Sequence, residues 1–143
     1  MVNLPSGPIE ACLYSTLTNN APLQALGVGG VVKVFHRVAP EIEVNPFCVF
    51  QSMTPGTDVY TLSQRAYIDA VYKVEAYTRG PSNKVCQQLA EAIDTALTDQ
   101  ALTVTGWGLM YIRREQILDT TEESAGVLWN RIGALYRIFV RPS

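Results

Sequence analysis

Between Ala66 and Arg79 the chain alternates: Ile68, Ala70, Tyr72, Val74 and Ala76 fall on one parity, and Asp69, Lys73, Glu75 and Arg79 on the other. A period of two is that of a strand with one buried and one wet face. Such a strand needs a cover, and the chain supplies one at once. After the start signal Gly80-Pro81-Ser82, Val85, Leu89, Ile93 and Leu97 recur every fourth residue, backed by Cys86, Ala90 and Ala96. That spacing predicts an amphipathic helix over Asn83 to Leu97, wet along Lys84, Gln87, Gln88, Glu91 and Asp94. A sheet with a helix on one face is therefore the minimum the chain must build.

The flanks extend this unit. Ile9, Leu13 and Leu17 mark a first helix from Pro8 to Asn19, capped by Ser6 and stopped before Pro22, with a short turn from Leu23 to Leu26. Gly27, Gly29 and Gly30 reverse the backbone into a strand at Val31 to Phe35. A loop from Ala39 to Pro46 leads to a strand over Phe47 to Gln51, a turn at Thr54 to Asp58, and strand character again from Val59 to Leu62. After the central helix, Trp107 to Glu115 reads as a strand and Asp119 to Gly126 as a polar loop. In the last strand Ile132, Ala134, Tyr136, Ile138 and Val140 alternate with Arg131, Gly133, Arg137 and Arg141. The expected fold is one α+β domain over residues 1–143, an antiparallel β-sheet with two α-helices packed on one face, because a closing hairpin alone is marginal in water.

Charge and composition narrow the function classes. A hydrophobic fraction of 48% against 17% charged fits a packed core. A formal net charge of -2 leaves no basic footprint for nucleic acid or an anionic membrane. No apolar run approaches the roughly 20 residues of a membrane span, and MVNLPSGPIEA lacks a signal peptide's basic start and apolar stretch. The expectation is a protein made and kept in a cytoplasm, without a membrane partner.

Catalytic patterns are missing. There is no G-x-x-x-x-G-K-[ST], G-x-G-x-x-G, H-E-x-x-H or G-x-S-x-G. Gly27-Val28-Gly29-Gly30 precedes a strand and not a helix N-terminus, so it reads as a turn. Cys12, Cys48 and Cys86 are scattered among apolar residues, and His36 is the only histidine. This predicts free buried thiols, no metal, no disulfide and no cofactor. The paired acids Glu41, Glu43 and Glu122, Glu123 read as solvated loop residues, since catalysis needs a desolvated carboxyl. Arg113, Arg114, Arg131, Arg137 and Arg141 are the basic concentrations, and they serve equally as a solvated sheet face or as partners for acidic loops of a neighbouring subunit.

Particular phrases carry a resemblance. Pro46-Phe47-Cys48-Val49-Phe50-Gln51, then Tyr72-Lys73-Val74-Glu75-Ala76-Tyr77 leading into the helix from Asn83, then Met110 to Asp119, Thr120 to Gly126 and Tyr136-Arg137-Ile138-Phe139-Val140 follow each other along the chain. In this order the chain resembles the tail terminator (tail completion) proteins of long-tailed bacteriophages. The segment Val38 to Asn45 is longer than that pattern has. The resemblance implies a structural virion protein without catalytic residues, a hexameric ring that caps the tail tube, ends its polymerisation and meets the head-completion or stopper protein. It implies a place in the virion tail or neck, with host cytoplasm during assembly, and genomic DNA as a partner only while passing through the ring. The interface expected from charge pairs Glu41, Glu43, Glu122 and Glu123 with the arginines 113, 114, 131, 137 and 141 of a neighbour. Rival readings are a head-tail stopper or adaptor of the same neck region, a small enzyme, and a ligand-binding module of the host.

Overall fold

The computed structural model describes residues 4–40 and 43–142. Helix α1 spans Ser6–Thr18 and α2 Ala21–Gln24; strands β1 and β2 span Lys33–His36 and Phe47–Tyr60, and β3 spans Arg65–Arg79. Helix α3 covers Lys84–Leu97, and β4 (Trp107–Ser124) and β5 (Val127–Pro142) close the chain. The strands form one sheet in the order β1-β2-β3-β5-β4. β3 pairs antiparallel with both β2 and β5, and β4 with β5. β1, however, pairs parallel with β2, from Lys33↔Phe47 to His36↔Phe50. The sheet is thus mixed and not purely antiparallel, because the connection between β1 and β2 crosses over instead of turning back as a hairpin.

The helices pack on one face, where Ile9, Leu13 and Leu17 of α1 meet Cys86, Leu89, Ile93 and Leu97 of α3 over the alternating set Ile68 to Ala76 and Ile132 to Val140, in one hydrophobic cluster. Tyr72, Val74 and Leu89 are fully buried. Val85 departs from the expected stripe and is 40% exposed. A repeat of four drifts about 40° from a 3.6-residue turn at each step, so Val85 leaves the face that Cys86, Leu89 and Ile93 share. Ser6 makes no side-chain cap on α1, whose N-cap is Pro5, whereas Asn20 caps α2 by accepting from the Leu23 N–H at 2.9 Å.

Two expected loops are strand instead. The stretch from Thr54 to Asp58 lies within β2, where register shifts at Ser52/Thr54 and Thr54/Thr57 absorb Pro55 and Gly56; bulges let a strand keep residues that would otherwise end it. The reversal comes later, where the Thr61 N–H donates to the Gln64 carbonyl at 2.8 Å. The acidic stretch from Thr120 to Ser124 likewise belongs to β4, and only Ala125 and Gly126 turn. Both have positive φ, 51° and 78°, as the favoured two-residue hairpin turn requires. Gly133 has a packing reason: a Cβ there would lie 2.1 Å from the Val74 carbonyl oxygen on β3.

Candidate assembly surface

Because β3 and β5 bury one parity against the helices, the other parity faces outward with no helix above it. Antiparallel pairing then sets Tyr77 beside Arg131, Val71 beside Arg137 and Asp69 beside Phe139. Two aromatic groups form at opposite ends of this open face. At one end Phe47 stacks on Tyr77 with centroids 4.9 Å apart, with Phe35 and Trp129 edge-on at 5.7 Å, and the Arg79 guanidinium lies 4.7 Å over Trp129. At the other end Phe139 packs between Tyr67 and Tyr111, at 4.8 and 4.4 Å.

Between them runs a band of ion pairs. Glu75, only 3% exposed, accepts from Arg131 at 3.0 Å and has the Lys73 ammonium at 3.6 Å. Arg131 also reaches Glu122 at 3.4 Å. Arg137 bonds Asp69 and grips Glu115 through two bonds of 2.9 Å, the fork geometry that makes arginine-carboxylate pairs strong. The Arg137 hydrogen bonds hold the Glu115 carboxyl below its ordinary range. Pairing offsets part of the cost of desolvating a charge, and this face carries its own counter-charges.

Of the arginines expected to meet a neighbour's acids, all but Arg141 thus have carboxylate partners inside the subunit. Arg113 pairs with Asp99 at 3.1 Å and Arg114 with Asp94 at 3.4 Å. Glu43 is held below the ordinary carboxylate range, first by the hydrogen bond from Lys33 at 3.1 Å and also by the Asn45 N–H. Glu41 lies outside the described residues. Glu123 and Arg141 are exposed and form no ion pair with a described residue. The partners Asp69, Glu75, Asp94, Asp99 and Glu115 were missed as site residues. The signal was present for two of them, since pairing β3 with β5 puts Asp69 and Glu75 on the wet parity that Arg131 and Arg137 share.

A cleft of about 530 Å³ opens at the first aromatic end, between Arg37 to Pro40, Phe47, Arg79 and the β4–β5 tip. Glu122, Ser124 and Tyr77 are the carboxylate and hydroxyls on its wall, and no cysteine or histidine is among its described lining residues. Burial pushes the Cys48 thiol up to about 12, and burial also raises Cys12 and Cys86, the reverse of what an attacking thiolate needs. His36 stacks on Phe50 at 4.9 Å with Nε2 3.4 Å from Glu10, a satisfied strand histidine.

Residues 11–141 match the family model described as tail completion protein gp17. The chain belongs to that family. The tail completion fold recurs in a chain of the virion of a native gene transfer agent (GTA) particle, with a TM-score of 0.78 at 17% identity over 97% of this chain and 98% of that one. A second solved chain shares it at a TM-score of 0.63 and 13% identity, covering 96% and 97% of the two chains. No curated protein matches this chain in sequence. The family membership makes this a structural protein of phage-like tails.

Proposed function

We propose that this tail completion protein assembles as a closed ring, six subunits around, on the end of the tail tube, where it ends polymerisation and presents a surface to the head-completion or stopper protein. The observation that carries the reading is the open sheet face, which is aromatic at both ends and charge-paired in the middle. Aromatic residues and arginine are enriched at the cores of protein interfaces, and internal pairing lets such a face be covered without stranding a charge. The role is structural and non-catalytic, with DNA a partner only in transit.

A head-to-tail ring joins two unlike surfaces of each subunit and closes when the rotation permits. Exposed Glu123 and Arg141, and the solvent-side pairs of Arg113 and Arg114, are the charges available to set its register. Electron microscopy of phage lacking the protein tests the function. Overlong tails are expected; full-length tails detached from heads would assign it instead as a stopper. A neck reconstruction showing a single copy would overturn the ring.

A further inference from the structure

β4 is an end strand of the sheet, and its outer edge differs from the opposite one. On the β1 side the Gln24 carboxamide donates to the Val32 carbonyl at 2.9 Å and accepts from the Val32 N–H at 2.8 Å, and the His36 carbonyl is taken by the Val38 N–H at 2.9 Å. Where β2 runs past β1, two bulges around Pro55 break its edge. Caps, bulges and proline are the devices that keep edges from pairing. From Gln116 to Ser124, β4 has no cap from a described residue, no bulge and no proline, its register with β5 being continuous, and only the charges of Asp119, Glu122 and Glu123 guard it.

The turn determines which backbone groups point outward. A two-residue loop makes Ser124 and Val127 a hydrogen-bonded pair, and the pairs alternate from there. Ile117, Asp119, Thr121 and Glu123 therefore aim N–H and C=O away from β5. Two observed bonds agree. Leu128, opposite Glu123, gives its carbonyl to the Gly80 N–H at 3.0 Å, and past the bulge at Glu115 the Ile112 carbonyl accepts from the Asp99 N–H at 2.8 Å.

We propose that this edge pairs antiparallel with β4 of a second copy across a two-fold axis. Charge selects the occupant, because β4 is basic at Arg113 and Arg114 and acidic at Asp119, Glu122 and Glu123, so that running it against itself brings unlike ends together. With Ile117 opposite Asp119 and the bulge taking up Glu115, Arg113 stands opposite Glu122 on one face. Arg114 stands opposite Thr121 on the other, diagonal to Glu123. Leu118 meets its own copy at the axis, beside Ile117, which is 62% exposed. Every pair drawn this way joins two outward-facing or two inward-facing residues, as an antiparallel ladder demands.

This contact goes beyond the ring. A two-fold contact closes on itself and cannot propagate around six subunits, so it belongs to the free protein. Arg113 cannot serve a ring neighbour and the mate's Glu122 at once, and the dimer has to open before a ring closes. Off the tail, the edge stays masked.

Analytical ultracentrifugation of the full chain over a concentration series tests this, with a reversible dimer expected. Thr121→Pro deletes an outward N–H twice per dimer and is expected to weaken dimerisation roughly tenfold or more, with the thermal midpoint held. Thr120→Pro deletes an inward N–H and is expected to lower the midpoint instead. Arg113→Glu and Glu122→Arg should each weaken the dimer and together restore it. A monomer at every concentration, a dimer indifferent to Thr121→Pro, or a double swap without rescue would overturn the proposal. Because these readings are made on free protein, a ring absent from tails leaves them standing, and their failure leaves the ring standing.

Discussion

Leu89 and Val85 sit one helical turn apart on α3 with the same apolar character, yet one is fully buried and the other 40% exposed. Leu89→Ala is expected to cost about 2 to 5 kcal/mol, the range for a buried leucine whose cavity relaxes only in part. Val85→Ala is expected to change stability by less than about half a kcal/mol, as surface sites do. Chemical denaturation of the two variants separates them, and equal losses would contradict the packing. At the same scale, Glu115 titrates below its unfolded value because Arg137 donates to it. A depressed carboxylate stabilises the fold fully above its unfolded pKa, and that contribution is lost as pH falls through the folded one. Carbon-detected NMR titration should find the Glu115 midpoint below that of a free glutamate, and Arg137→Gln should raise it. An unmoved midpoint would remove Arg137 as the cause.

Elements repeat the lesson with turns. The central helix and the buried parity of β3 were legible because each rests on a period that a single segment carries by itself. The tip of the β4–β5 hairpin was not, since Glu122, Glu123 and Ser124 have loop chemistry and are held as strand by their partners Trp129, Leu128 and Val127. The turn itself is unusual in placing Ala125 at φ 51°, where a Cβ crowds the following carbonyl. Ala125→Asn, giving the Asn-Gly pair such a turn favours, is expected to stabilise by about 0.5 to 1 kcal/mol. For a chain of this size that raises the melting midpoint by about 2 to 4 °C per kcal/mol, readable by calorimetry. A lowered midpoint would contradict the left-handed turn. Pro55 shows the converse, because a proline that ordinarily ends a strand is carried inside β2 by bulges.

At the scale of the whole molecule, one core runs from α1 through α3 to β5 and β4, so the chain is expected to unfold as a single cooperative unit. Trp107 and Trp129 report from opposite ends of the sheet, facing Pro142 and Arg79 respectively. Their fluorescence and far-ultraviolet circular dichroism should give coincident denaturation curves, and two separate transitions would divide the domain. Local period and residue type were enough for the α+β class, the central helix, the buried parities of β3 and β5, and the want of catalytic patterns. Three outcomes came from long-range contacts: β1 joins in parallel, Arg113, Arg114, Arg131 and Arg137 find carboxylates within their own subunit, and one sheet edge is capped while β4 from Gln116 to Ser124 is not. Those outcomes depend on which distant segments lie side by side, and pairing across a sheet is fixed by long-range register, which no local period encodes.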